Sequence, residues 1–148
     1  VTIAVNTDYT VANAAISNTF YSYAASPAGY PTFFNYTPTY TGFSADPTNV
    51  VARYSVIGNQ CKVIYRASSD GTSNATGFTV TAPITAKNVS TMYWQVPCLT
   101  RDNSANAGVG DVYIQANTAS LVVEKSFTSA NFTGSGGKTA FFDITYEI

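Results

Sequence analysis

The chain contains no histidine, and only 10% of its residues are charged. Without histidine, a single chain cannot assemble a Ser-His-Asp or Cys-His catalytic site, nor a zinc centre that uses imidazole. Its two cysteines are too few for a zinc or iron–sulfur cage. Seven Lys and Arg against eight Asp and Glu leave a net charge of -1. That balance provides no footprint for nucleic acid and no polybasic patch for a membrane surface. No apolar run approaches the roughly 20 residues that cross a bilayer as a helix, so membrane insertion is not expected. No residue pattern calls for a cofactor.

Hydroxyl and amide groups take the place of charge. The 148 residues include 21 Thr, 14 Ser and 12 Asn, beside 11 Tyr and 9 Phe. Thr, Tyr, Phe and Val suit half-buried strands, while Asn, Ser and Gly suit the turns between them. A chain of this length builds one core and buries roughly two-thirds of the surface exposed when unfolded. It begins at Val1 rather than Met, as expected for a processed product or a piece of a longer protein.

Period-2 alternation marks the strands. Val50, Ala52, Tyr54 and Val56 share one face of Asn49–Gly58. Cys61, Val63, Tyr65 and Ala67 do the same in Gln60–Ala67, and Gly58-Asn59 between the two is a hairpin turn signal. Phe78, Val80 and Ala82 point inward from Gly77–Pro83. Val89–Val96, Asp111–Ala116 and Leu121–Phe127 read as further strands. The last is Thr139–Ile148, with Ala140, Phe142, Ile144, Tyr146 and Ile148 on one face. Thr100–Gly110 and Asp70–Asn74 read as polar loops, and Gly134–Gly137 as a flexible one. The prediction is an all-β fold, an antiparallel β-sandwich or jelly roll over residues 39–148. Residues 1–38 read as an irregular lead-in that packs by aromatic contact, with Pro27, Pro31 and Pro38 opposing regular strands. Asp8 is a candidate N-cap for a short helix, although Thr10, Val11, Asn13 and Ser17 oppose one.

Two readings of the cysteines stand. A Cys61–Cys98 disulfide, closing a 37-residue separation, contributes about 3–4 kcal/mol. Two free buried thiols are the other reading, favoured because Cys61 is in register with Val63 and Tyr65 on an apolar face. Asp70 is the sole carboxylate of Asp70–Asn74, too few for calcium, so no metal is expected there. The close acidic pair on one strand face, Asp143 and Glu147, places its Cα atoms about 13 Å apart, too far for a typical glycosidase pair. Asp102 with Asp111 is a cross-strand alternative.

Pro38–Ser44, Arg53–Gly58, Gly71–Thr76 and Gly136–Lys138, followed by Asp143–Ile148, form an ordered set. That set resembles the C-terminal receptor-binding domains of bacteriophage tail fibres and tail-associated receptor-binding proteins, over about residues 36–148. The resemblance implies a non-enzymatic domain, commonly a homotrimer, at the extracellular tip of a virion fibre. Its expected partner is a host cell-surface receptor, with a glycan as the first choice. A structural subunit of a filament or capsid is the alternative reading, and a polysaccharide depolymerase the third. The expected contacts are Arg101, Asp102 and Asn103, which supply a forked donor, an acceptor and an amide within three residues. Tyr93 or Trp94 is the expected apolar platform for a sugar, against a competing role in core or interface packing. If Thr100–Gly110 is an exposed loop, replacing Arg101, Asp102 and Asn103 together by Ala changes stability by less than ~0.5 kcal/mol.

Overall fold

A computed structural model describes residues 33–128 and 130–148. The expected helix after Asp8, and residues 1–32 of the expected lead-in, lie outside them. The described residues are all-β, with eleven strands and every pairing antiparallel. In chain order these are β1 (Phe34–Asn35), β2 (Tyr40–Thr41), β3 (Phe43–Ala45), β4 (Thr48–Ile57), β5 (Gln60–Ser69) and β6 (Gly71–Ser73). They continue as β7 (Phe78–Thr81), β8 (Tyr93–Asp102), β9 (Ala105–Gln115), β10 (Ser120–Glu124) and β11 (Gly137–Glu147).

The strands follow one curled path, β1-β4-β5-β11-β8-β9-β10-β7-β2, with β3 and β6 beside it. Strand β11 is where the path divides into two layers. Along one side it pairs with β5 from Phe141 to Glu147, and with β6 at Gly137 and Lys138. On the other side it pairs with β8 only from Lys138 to Phe141. Beyond that point β8 and β11 separate, and side chains fill the gap. The rings of Trp94 and Tyr146 face each other across it at 6.5 Å, and the Tyr146 hydroxyl donates to the carbonyl of Ile84 at 2.7 Å. At the opposite margin Tyr40 of β2 meets Tyr65 of β5 at 6.3 Å.

Alternation explains the core. Cys61, Val63, Tyr65 and Ala67 of β5 are buried, as are Ala140, Phe142, Ile144 and Tyr146 of β11. Phe78, Val80 and Ala82 are also buried, as their inward parity requires. The Tyr65 and Phe142 rings stack at 5.0 Å and 18°. The Gly58-Asn59 hairpin forms, with Ile57 opposite Gln60. Its positive φ of 61° at Gly58 is one an L side chain adopts only with strain. Cys61 and Cys98 are free and buried.

Several expected boundaries shift. The strand expected from Val89 starts at Tyr93, because Thr91 has a φ of 60° and Met92 N–H donates to the carbonyl of Val89 in a turn. The strand expected to reach Phe127 ends at Glu124, leaving Phe127 exposed. Residues 34–36, expected within the lead-in, extend the sheet. Phe34 and Asn35 pair with Tyr54 and Arg53, and Tyr36 N–H donates to the carbonyl of Ala52 at 3.1 Å.

Lys138 departs from the usual rule for lysines. It is fully buried, with Nζ donating to the carbonyls of Ala75 at 2.6 Å and Gly77 at 3.0 Å. The rings of Phe43, Phe78 and Phe132 lie 5.1, 5.6 and 5.8 Å from that nitrogen. Desolvation lowers the pKa of the ammonium, and the nearby Asp102 charge opposes that shift. The aromatic rings and carbonyls thus stabilise a cation that holds the 75–77 turn against β11.

Candidate functional site

The polar segment Thr100–Gly110 is not a loop. It is the end of a β-hairpin, in which β8 runs to Asp102 and β9 begins at Ala105. Asn103 and Ser104 form the two-residue turn, with φ of 52° and 60°, the signs of a type I′ turn. The three residues expected to contact a ligand are spread over this structure and already engaged. Arg101 pairs with Asp70 at 2.9 Å and also donates to the carbonyl of Ser104 at 3.0 Å. Asp102 is only 7% exposed and pairs with Lys125 at 2.7 Å. It also accepts from the Thr133 backbone N–H at 3.0 Å and from the Thr133 hydroxyl at 3.0 Å. Desolvation raises the Asp102 pKa, but the Lys125 and Thr133 bonds outweigh it and hold the carboxyl below its ordinary value. Asn103 is exposed at the turn, and a side chain at Gly136 would run into its amide.

The Asp70–Asn74 segment is not an open loop either, because Gly71–Ser73 is β6 and pairs with β3 and β11. Asp70 serves Arg101. Both segments expected to be polar loops are therefore part of one clamp that ties the hairpin end to the 133–137 segment.

The structure also separates Tyr93 and Trp94 from Arg101–Asn103. They start the strand whose other end carries Arg101 and Asp102, about 26 Å away over eight residues of extended chain. Their side chains face opposite ways. Trp94 packs inward toward Tyr146, whereas Tyr93 is 57% exposed on the outer face.

Tyr93 lines an open cleft, with different neighbours. The register places Tyr93 opposite Gln115 and Gln95 opposite Tyr113. Alternation puts all four on the outer face of the β8–β9 ladder, and Glu124 of β10 joins them from the next strand. Together these five residues line an open cleft of about 310 Å³. The Tyr93 and Tyr113 rings lie 6.0 Å apart at 60°. The Tyr113 phenol is pushed up, by burial first and then by the charges of Glu124 and Asp111.

Asp111 lies beneath one corner of this cleft. It shares the parity of Tyr113 and Gln115, with Pro97 and Glu124 as its cross-strand partners. Its side chain is nonetheless fully buried. One carboxylate oxygen accepts from the Gln95 side-chain amide; the other has no hydrogen-bond partner among the described residues. The β9 and β10 backbones come close here because residue 110 is glycine. A Cβ at that position would collide with the carbonyl of Glu124. Burial raises the neighbouring Cys98 thiol to about 12, with the Asp111 charge adding to the shift.

The acidic pairs considered from sequence do not assemble. Asp143 pairs with Arg66 at 2.7 Å and Glu147 with Lys87 at 2.6 Å. Asp102 lies opposite Ala105, far along the hairpin from Asp111. No group of three metal-ligating side chains occurs among the described residues.

The residues lining the cleft carry aromatic and hydrogen-bonding groups. They offer aromatic area, two amides, phenolic hydroxyls and carboxylate charge in an open depression. Comparison with known proteins adds no homology argument, since the chain matches no protein-family model and no curated protein.

Proposed function

We propose that this chain is a non-enzymatic attachment module, the distal domain of a phage tail fibre that adheres reversibly to a glycan on the host cell surface. The observation that carries this reading is the exposed Tyr93 ring beside Tyr113, in a cleft otherwise edged by Gln95, Gln115 and Glu124. Sugars combine apolar C–H faces with hydroxyl edges, so an aromatic surface ringed by amides and a carboxylate suits them. An open cleft of this size implies a weak single site. Several copies on one fibre raise the overall binding strength without new contacts.

A homotrimer is the proposed assembly. An apolar row supports association. Val51, Phe141, Leu99 and Val109, with Arg66 between the first two, stand in register across five strands. Leu99 is 60% exposed and Val109 52% exposed. Bare apolar area of this kind marks an interaction surface. The same row also favours the second reading, a structural subunit of a filament or capsid. The two separate by experiment. An array of bacterial surface polysaccharides, probed with the wild-type chain and with Tyr93→Ala, is expected to show binding that falls at least tenfold in the variant. No binding to any polysaccharide by a folded, assembled protein would remove the adhesion reading and leave the structural one.

A further inference from the structure

Resting on that adhesion reading, we infer that the cleft recognises 2-acetamido sugars, with Gln95 and Gln115 meeting the two ends of the acetamide group and Asp111 setting the direction of Gln95. The register arranges four outer-face residues as a square. Tyr93 stands opposite Gln115 and Gln95 opposite Tyr113, so the rings occupy one diagonal and the amides the other. The rings lie 6.0 Å apart. Diagonal positions on an antiparallel ladder are about 7–8 Å apart, which sets the two amides at opposite corners of the ring pair.

Asp111 fixes one of those amides without touching the ligand. A glutamine side chain offers a carbonyl on one side and an NH₂ on the other, and either can turn outward. A carboxylate only accepts, and one Asp111 oxygen takes its hydrogen bond from the Gln95 NH₂. Asp111 is fully buried, and its second oxygen has no hydrogen-bond partner among the described residues. Flipping Gln95 would therefore leave a buried carboxylate facing a carbonyl, which is costly. Gln95 is otherwise exposed, so its carbonyl oxygen is the end presented to the cleft. Gln115 is exposed as well and supplies an NH₂ at the opposite corner.

An acetamide group matches this arrangement. It is planar and trans, so its N–H and its C=O point in opposite directions. The N–H donates to the Gln95 carbonyl, the C=O accepts from the Gln115 NH₂, and the methyl rests on the exposed Tyr93 ring. A hydroxyl at the same position is a single oxygen and reaches one corner at a time. A plain hexose therefore keeps the ring contact but forgoes one of the two amide bonds.

The test is an NMR titration of the full chain with the methyl glycosides of N-acetylglucosamine and of glucose, following the amides of residues 93–95 and 113–115. The acetamido sugar is expected to bind about fivefold more tightly, the contribution of one net hydrogen bond. Gln95→Lys keeps a donor for Asp111 but has no acceptor, and its preference is expected to fall below about twofold. Asp111→Asn, whose amide meets either end of Gln95, is expected to lower the preference while leaving glucoside affinity unchanged. A purely structural role for Asp111 would weaken both sugars alike, and that result, or an unchanged preference, removes it as a positioning residue. If Asp111→Asn does not fold, Gln95→Lys carries the test. Equal binding of the two glycosides to the wild-type chain, or an undiminished preference in Gln95→Lys, overturns the inference and leaves adhesion standing. Silence from both glycosides at about 100 mM overturns it too, and the polysaccharide array then decides adhesion by itself.

Discussion

Replacing Asp102 by Ala tests whether the hairpin end is a recognition loop or part of the fold. The carboxylate is 7% exposed and holds three partners: the Lys125 ammonium at 2.7 Å, the Thr133 backbone N–H at 3.0 Å and the Thr133 hydroxyl at 3.0 Å. A hydrogen bond to a charged group contributes about 1.5–3 kcal/mol. Orphaning a fully buried charge costs about 3–5 kcal/mol. The Lys125 side chain is 30% exposed and regains water, so the full penalty does not apply. The expected loss is about 2–3 kcal/mol, well above the ~0.5 kcal/mol of an exposed loop position. For a domain of this size that lowers the melting temperature by roughly 6–15 °C. Thermal unfolding by circular dichroism reads it directly. The pH dependence gives an independent check. Because the folded carboxyl titrates below its ordinary value of 3.8, its contribution is complete above that value. It is lost as pH falls through the lower folded value, so the gap between wild type and variant closes in acid. An Asp102→Ala protein melting within about 2 °C of wild type at neutral pH would refute this reasoning.

Three further outcomes follow from the packing. Phe142→Ala removes a buried ring stacked on Tyr65 and is expected to cost about 3–5 kcal/mol by urea unfolding. An unchanged urea midpoint would place Phe142 on the wrong face. Ser104→Gly relieves a φ of 60° at a non-glycine residue and is expected to raise stability by about 0.5–1 kcal/mol in the same assay. A loss would mean that the Ser104 side chain contributes more than the relieved strain. Stability is expected to decline as pH rises above 9.0, because burial raises the Cys98 thiol from 9.0 to about 12 and raises the phenols of Tyr36, Tyr65 and Tyr146 from 10.0. The unfolded chain releases those protons first. Lys138, lowered from 10.5, works in the opposite sense but is one group against four. A urea midpoint that stays level from pH 8 to 11 would contradict this balance.

The strands that build the core were legible because their inward residues are apolar at every second position. Cys61 to Ala67 and Ala140 to Tyr146 are unambiguous in this respect, and both sets are buried. The Thr100–Gly110 hairpin was not legible, since its inward positions Thr100 and Asp102 are polar and satisfied by Lys125 and Thr133. Alternation of that kind looks like loop sequence until the partners are known. Its turn gave a weak signal, as Asn tolerates a left-handed backbone but Ser104 has little preference for one. Lys138 was invisible for a related reason. Three phenylalanines from three separate segments surround it, and no local pattern announces a buried ammonium.

The cleft was half legible. Parity shows that Tyr93 and Trp94 face opposite ways but not which of them is outward, and the neighbours of the outward Tyr93 depend on register. Only the pairing of Gln95 with Tyr113, and of Tyr93 with Gln115, brings those outer-face residues together. The turn that sets this register is the Asn103–Ser104 pair, read from sequence as the middle of a loop. Misreading the turn therefore placed Arg101, Asp102 and Asn103 in an open loop rather than at a hairpin end.

Mapping a bound surface oligosaccharide by NMR tests the central claim most directly. With an oligosaccharide drawn from the best-binding surface polysaccharide added to the labelled chain, the account predicts shifts concentrated at Tyr93, Gln95, Tyr113, Gln115 and Glu124, with the turn at Asn103 and Ser104 unmoved. Shifts centred on residues 101–104, with the cleft silent, would contradict it.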